Sequence, residues 1–251
     1  MRTLVLIASL LAATQVVAAD RVVRESIPVN ADVRFSLDAY RSSVSITTAD
    51  VDAIELVVRL EHDEQEILDK VNVDIESSPA FVSVGVSFDE PDLTYLFGFI
   101  DVNNYEYPQI HFEVVLPVDA ALAIDGHRSR LDIVAPGGRL DISAHRSSGR
   151  IDEVRSDLKL SSQRGDFEVQ IRELHDVDLE TSRGDIRLDI FGARDYRLSG
   201  ESERGNIRFS GQEIAVGERR RGVFVEHVAG AGTHFINLEA HRGDIRINFR
   251  D

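Results

Sequence analysis

The chain has 251 residues, no cysteine and a formal net charge of −16. Without a thiol, the composition excludes disulfides, thiolate metal sites, cysteine nucleophiles and a lipid-modified cysteine. Residues 1–120 carry 7 Lys/Arg against 21 Asp/Glu, whereas residues 121–251 carry 21 against 23. Because the front half is so acidic, a nucleic-acid partner is not expected.

The chain begins with the pattern of a secretory signal peptide. Arg2 is followed by a short apolar run over 4–13, and the small residues of 17–19 precede Asp20. The run is too short to span a bilayer, and no later stretch is apolar enough to do so. We therefore expect residues 1–19 to be removed on export. A bacterial periplasm is the favoured destination, with the cell surface or full secretion as alternatives.

Residues 20–120 are predicted to form an acidic N-terminal β segment, packed on the following repeats or continuous with them. Alternating apolar residues predict strands over 33–37, 53–60, 71–75, 81–88 and 110–116, and residues 63–70 could form one or two helical turns. Segment 92–108 is compatible with a buried strand and with an exposed aromatic loop that contacts a partner. The candidate partner-contact residues are Tyr95, Phe97, Phe99, Tyr105 and Tyr107.

Residues 121–251 are predicted to be a β-solenoid, because one short motif recurs about every 19 residues. Each unit has a turn residue followed by a strand in which apolar and polar residues alternate, as in Ile186, Arg187 and Leu188. Ser129 occupies the first turn position. The predicted structural turns that follow are Gly149, Gly165, Gly184, Gly205, Gly222 and Gly243.

Three of these turns spell Arg-Gly-Asp, a cell-attachment tripeptide, at 164–166, 183–185 and 242–244. In another repeat Asn206 stands in place of the aspartate, and each tripeptide leads at once into an alternating strand. Asp and Asn share turn chemistry but not charge. The repeat therefore explains the tripeptide better than a surface adhesin that uses these turns.

An arginine precedes each turn, and in stacked coils these arginines would form a row about 4.8 Å apart. Neighbouring aspartates could neutralise the row as weak surface ion pairs. Alternatively, an anionic polymer of the cell envelope could bind along it through bidentate hydrogen bonds. The candidate ligand-binding residues are Arg128, Arg146, Arg164, Arg183, Arg204, Arg221 and Arg242.

The repeats resemble those of the bacterial envelope β-strand-repeat proteins known as "putative adhesins". The resemblance rests on Ser43-Val44-Ser45-Ile46 and on the glycine turns between 149 and 247. It covers most of the mature chain and implies a β-solenoid with a non-catalytic role in binding, adhesion or scaffolding, for which another envelope protein is a second possible partner. The arginine before each glycine is not part of the family's pattern.

An enzyme is the alternative, since β-helices also carry polysaccharide lyases and hydrolases. Such sites interrupt the repeat with paired carboxylates or with a base beside a metal. Here the acidic residues recur with the repeat, and no nucleophile elbow, zinc motif or nine-residue calcium repeat occurs. The sequence therefore predicts no catalytic residue, no metal ligand and no cofactor.

Overall fold

The structure, a computed structural model, describes residues 19–88 and 107–251. Within these ranges the chain forms two long β-sheets, of 10 and 11 strands, and one short helix. The prediction of an all-β protein is confirmed. Four of the five predicted aromatic contact residues, between 95 and 105, lie outside the described residues.

The first part of the chain contributes seven strands and the helix. They are β1 (Ala19–Pro28), β2 (Arg34–Tyr40), β3 (Ser42–Ala49), β4 (Ala53–His62), α1 (Gln65–Asp69), β5 (Val71–Ser78), β6 (Phe81–Phe88) and β7 (Gln109–Pro117). The antiparallel pairs β1–β4, β4–β7 and β5–β6 lie at one end of the two sheets. Because β2 and β3 pair in parallel with β8 and β9, both sheets run on into the repeats.

The second part of the chain is a series of short strands. They are β8 (Ala121–His127), β9 (Arg130–Val134), β10 (Leu140–His145), β11 (Ser148–Val154), β12 (Leu158–Ser162), β13 (Phe167–Ile171), β14 (Val177–Thr181), β15 (Ile186–Phe191), β16 (Tyr196–Ser202), β17 (Ile207–Ser210), β18 (Gly217–Glu218), β19 (Val223–Ala229), β20 (His234–Ala240) and β21 (Ile245–Arg250). From β8 to β17, even-numbered strands join the 11-stranded sheet and odd-numbered strands join the 10-stranded sheet. Successive strands of each sheet pair in parallel.

The core lies between the two sheets, because the apolar residues of each strand face inward. In β13, Phe167 and Val169 are 2% and 3% exposed, while Glu168 between them faces water. Strict alternation of this kind follows from the two-residue period of a strand. Each large apolar side chain that is removed from water in this way contributes about 1.5–3 kcal/mol to stability.

The last strand pair does not follow the order of the sequence. β20 lies between β14 and β16, and β21 lies between β15 and β17. The prediction that every repeat stacks on the one before it is therefore wrong at this point. Polar pairs on the outer faces match the observed order: Asn237 donates to Asp178 (2.9 Å), and the Asn248 side chain donates to that of Asp189 (2.6 Å).

Residues 219–228, predicted as a further repeat, contribute to an antiparallel hairpin. β18 pairs with β19, and β19 in turn pairs antiparallel with β16 at the edge of the 11-stranded sheet. Gly222 lies in the turn of this hairpin with φ of +97°. It is a turn glycine as predicted, but it does not connect the two sheets, and neither does the neighbouring Arg221.

Candidate binding surface at the arginine corners

The links that lead from a strand of the 11-stranded sheet to the next strand of the 10-stranded sheet are here called corners. At the first three corners an arginine has a positive φ: +48° for Arg41, +58° for Arg128 and +56° for Arg146. A buried serine follows each of them. At the later corners the residue after the arginine is glycine, with φ of +133° at Gly165 and +138° at Gly184.

The serine corners correct one of the predicted turns. Gly149 lies within β11, where it pairs with Leu131 and Phe167, so it is a strand residue and not a corner. The corner residue of that repeat is Ser147, whose Oγ donates to the Gly126 carbonyl (3.0 Å) and accepts from the Ser129 amide (2.9 Å). The first two predicted intervals, 20 and 16 residues, thereby become two of 18.

The glycine corners stack so closely that a side chain cannot be accommodated. A Cβ atom at Gly184 would lie 2.1 Å from the Gly165 carbonyl oxygen, and one at Gly243 would lie 1.9 Å from that of Gly184. Backbone hydrogen bonds link the same corners, since the Gly184 amide donates to the Arg242 carbonyl (2.9 Å) and the Gly243 amide donates to the Arg204 carbonyl (3.3 Å). The corner that contains Arg242 therefore lies between those of Arg183 and Arg204.

The aspartates of the Arg-Gly-Asp tripeptides form a ladder of hydrogen bonds between neighbouring corners. Asp166 accepts from the Asp185 amide (2.8 Å), Asp185 accepts from the Asp244 amide (2.9 Å), and Asp244 accepts from the Asn206 amide (3.0 Å). Partial burial acts to raise the pKa of Asp244, but the Asn206 hydrogen bonds and nearby arginine charges outweigh it, so the pKa is lowered. The three carboxylates therefore have structural partners.

The arginines at the corners have no such partners. In spatial order, the six that we call the arginine column are Arg128, Arg146, Arg164, Arg183, Arg242 and Arg204. All six are exposed. Across 19–88 and 107–251, none of them lies within ion-pair distance of a carboxylate, whereas Arg187 contacts Glu168 (3.1 Å) and Arg150 contacts Asp152 (2.7 Å).

Four members of the column line one groove of about 300 Å³. Gln163, Ser182 and His241 complete its walls. Two unpaired guanidinium groups that lie one strand spacing apart repel each other by about 1 kcal/mol in water. An anion in the groove would remove this repulsion and accept hydrogen bonds from more than one guanidinium group.

Arg41 begins the same series of corners, but it was not among the predicted ligand-binding residues. Its amide donates to the His127 carbonyl (2.7 Å), which places it next to Arg128. Its guanidinium lies over the ring of Tyr107, 4.2 Å from the centroid. Tyr107 also packs edge-on against Tyr40 and Phe88. This predicted partner-contact residue thus has intramolecular contacts, and Arg41 is less available to a ligand than the arginine column.

Aromatic rings stack beside the first corners. Tyr40 stacks on His127 with ring centroids 5.1 Å apart, and His127 stacks on His145 at 4.7 Å. Partial desolvation lowers the pKa of His127, and the positive charges of His145, Arg128 and Arg146 lower it further. At neutral pH this part of the surface therefore carries arginine charge beside neutral imidazole.

The outer face of the 10-stranded sheet carries a Ser-His pair that the sequence did not reveal. Ser43 and His111 are directly opposite each other on β3 and β7, and the Ser43 hydroxyl hydrogen-bonds His111 Nδ1. Arg59 and Arg130 lie in the same groove. Over the described ranges, no carboxylate hydrogen-bonds the other nitrogen of His111, so the arrangement lacks the third group that orients the base in a catalytic triad.

Two absences hold for the described part of the chain. No group of three or more His, Asp or Glu side chains is arranged to bind a metal ion. In the same residues, no helix is long and apolar enough to cross a membrane.

Comparisons with known proteins agree with this fold. Residues 132–248 match the family model described as Toastrack DUF4097. The chain is also similar to a solved structure described as a "putative cell adhesion protein" from Clostridium sporogenes, with 14% identity, a TM-score of 0.52 and coverage of 92% of this chain and 99% of the other. The resemblance to the "putative adhesins" inferred from the sequence is thereby confirmed.

A second solved structure, a "putative adhesin" from Bacteroides fragilis, has 9% identity and a TM-score of 0.42, with coverage of 90% of this chain and 97% of the other. A "putative lipid binding protein" from Parabacteroides distasonis has 10% identity and a TM-score of 0.24, with coverage of 92% and 96%. The chain matches none of the curated proteins with which it was compared. At these identities the likeness concerns the fold alone.

Proposed function

We propose that the protein is an exported, non-catalytic binding module of the bacterial envelope that attaches to an anionic polymer through the arginine column. The signal-like residues 1–19 support export. The likeness to proteins described as adhesins supports a role in attachment. The lack of a complete catalytic group around Ser43 supports a binding role over hydrolysis.

We also propose that the strand pairs are coils of a β-solenoid about 19 residues long. Hydrogen bonds between equivalent positions of neighbouring repeats join residues that are 18 or 19 apart in sequence. The inserted last pair is the exception, since it contacts residues 59 and 38 positions away. Stacking of this kind brings one corner of every coil to the same edge of the molecule.

The observation that carries the proposed function is the absence of internal partners for the arginine column. Most exposed charges in proteins are solvated and contribute little, but here like charges are held at a fixed spacing by a rigid backbone. Elsewhere on this protein, exposed arginines such as Arg187 and Arg155 have carboxylate partners. Some other exposed arginines, such as Arg34 and Arg139, also have no carboxylate partner among the described residues, but they do not lie in the arginine column. A row of unpaired arginines at consecutive corners is suited to a ligand that supplies the anions.

The test is binding of the mature chain to immobilised polygalacturonate and polyphosphate, with dextran as the neutral control. We expect the chain to bind at least one of the two anionic polymers. The affinity should decrease as the salt concentration rises, because salt screens exposed charges. The double variant Arg146→Gln/Arg183→Gln should weaken binding by about tenfold or more, which corresponds to about 1.4 kcal/mol. The matched variant Arg155→Gln/Arg187→Gln removes the same charge from paired positions and should change affinity little.

Two results would contradict the proposal. One is equal binding to dextran and to the anionic polymers, which would indicate that charge is not recognised. The other is an equal loss of affinity in both double variants, which would indicate that net charge alone matters and that the arginine column has no special role. Circular dichroism of each variant would establish that the fold is intact.

A further inference from the structure

We infer that the anionic polymer is a linear acidic polysaccharide, which lies across the strands along the edge formed by the corners and presents about one carboxylate to each arginine of the column. This inference rests on the proposed function and specifies its ligand class. It depends on three features of the corners: their spacing, the neutral polar side chains that line the groove beside the arginines, and their order in space.

The spacing of the corners is that of neighbouring strands, about 4.8 Å. In a DNA duplex, the phosphates of one strand rise by about 3.4 Å per nucleotide along the helix axis. Alternate side chains of an extended acidic peptide lie about 6.6 Å apart on one face. Neither of these repeats coincides with successive corners. A linear chain of hexuronate residues carries one carboxylate per sugar, and one sugar ring spans a distance close to that between corners.

The neutral side chains that precede arginines in the groove suit a sugar better than a polyphosphate. Glu203, which precedes Arg204 outside this groove, is the charged exception, and its carboxylate lies 2.6 Å from His241 Nδ1. In the groove, Gln163, Ser182 and His241 each immediately precede an arginine of the column. Amide, hydroxyl and imidazole groups can both donate and accept hydrogen bonds. Sugar hydroxyls also do both, whereas the bridging and terminal oxygens of a polyphosphate only accept. A polymer with alternating carboxylates and hydroxyls would therefore use both kinds of side chain along this edge.

The order of the corners makes the inference specific to this chain. Because the last strand pair is inserted, Arg242 lies inside the column and Arg204 lies at its end. Loss of Arg204 leaves five consecutive arginines. Loss of Arg242 leaves four consecutive arginines, then one corner without an arginine, and then Arg204. The order in the sequence would place these two residues the other way round, with Arg242 at the end and Arg204 inside.

The experiment measures affinity for galacturonate oligomers of defined length. Six arginines span five strand spacings, about 24 Å, so affinity should rise with length up to about six sugars and change little beyond that. With the hexamer, we expect Arg242→Gln to reduce affinity by about tenfold and Arg204→Gln by about threefold. Arg187→Gln is the matched control and should have no effect. Arg242→Lys should recover part of the loss because it restores charge without the bidentate geometry.

The outcomes separate this inference from the proposed function. If polyphosphate or a single-stranded oligonucleotide competes for the arginine column more strongly than the galacturonate hexamer, the ligand class is wrong while anionic binding stands. The same conclusion follows if Arg242→Gln and Arg204→Gln have equal effects, or if affinity does not depend on oligomer length. If no anionic polymer binds, the proposed function and this inference both fail.

Discussion

Stacking of the glycine corners predicts a large difference between two Gly→Ala substitutions. At Gly184 the backbone has φ of +138°, and an added Cβ would lie 2.1 Å from the Gly165 carbonyl oxygen. At Gly192 the backbone has φ of +61°, and an added Cβ would have no atom within 4 Å. Both variants add the same methyl group at a positive φ, so their difference reports the close stacking at Gly184 together with the greater backbone strain of its φ.

The magnitude follows from the geometry. Since real Cβ contacts are essentially never shorter than 3.0 Å, the Gly165 carbonyl would have to move by roughly 0.9 Å from its present 2.1 Å. It cannot move freely, because Gly165 is itself stacked on Ser147. Backbone strain of about 1–3 kcal/mol and weakened hydrogen bonds at about 1 kcal/mol each give a total near 4 kcal/mol. Gly192→Ala should cost only about 1 kcal/mol.

Thermal unfolding of the mature chain, followed by circular dichroism, measures this difference. For a chain of this size 1 kcal/mol corresponds to about 2–4 °C in Tm. We therefore expect Gly192→Ala to lower Tm by ~3 °C and Gly184→Ala to lower it by ~12 °C. Similar Tm values for the two variants would refute the close stacking of the corners, and with it the basis for a rigid arginine column.

Three further predictions concern the ladder, the core and acid stability. Asp185→Asn should cost no more than about 0.5 kcal/mol because the amide oxygen still accepts from Asp244, whereas Asp185→Ala should cost about 1–2 kcal/mol; urea unfolding would compare them. Ile186→Asp should cost several kcal/mol, on the order of 3–5, because it buries an unpaired carboxylate, and unaltered Tm would contradict the inward assignment. Because the pKa of His127 is lowered in the folded state, the unfolded chain binds its proton first, so stability should fall as pH drops below 6.5. His127→Gln should flatten that decline in a pH series of melts.

Periodicity alone predicted much of the fold. The alternation at Ile186 and Leu188 placed both side chains in the core, where they are 2% and 0% exposed. The strand predicted over 81–88 coincides with β6 (Phe81–Phe88). These predictions succeeded because strand pairing leaves only two faces, and one of them must be apolar to be buried.

The order of the repeats could not be predicted from their pattern. Any two strands whose inward-facing residues are apolar at the same positions can pair in parallel. The inward-facing side chains of β20 therefore pack beside those of β14 as well as the side chains of β16 would. Contacts on the outer faces match the observed order, since Asn237 donates to Asp178 and Asn248 donates to Asp189. A single hydrogen bond of this kind contributes about 1 kcal/mol, and it is too common a residue pair to be recognised in advance.

Glycine was an incomplete marker of the corners for a related reason. Most corners contain one residue with positive φ, and Arg146 supplies it where Gly165 does in the next repeat. The hydroxyl of Ser147 then makes hydrogen bonds that help hold this corner in place. Because Gly149 lies two residues after Ser147, the alignment of the repeats on glycine placed this corner two residues too late in the sequence. In sequence, an arginine with positive φ has no signature, so only the register of the strands identifies it.

The Arg-Gly-Asp tripeptides divide into parts with separate roles. The glycine is required because neighbouring corners approach within the space of a Cβ atom. The aspartate accepts a backbone hydrogen bond from the next corner. Asn206 stands at the last corner of the column, where its backbone and side-chain amides both donate to Asp244. The arginine contributes its backbone to the stacking, since the Arg183 and Arg242 carbonyls accept from the amides of neighbouring corners, but its side chain has no carboxylate partner among the described residues. In the arginine column, unpaired side chains stand close together despite their mutual repulsion, and the ligand that we propose would relieve this repulsion.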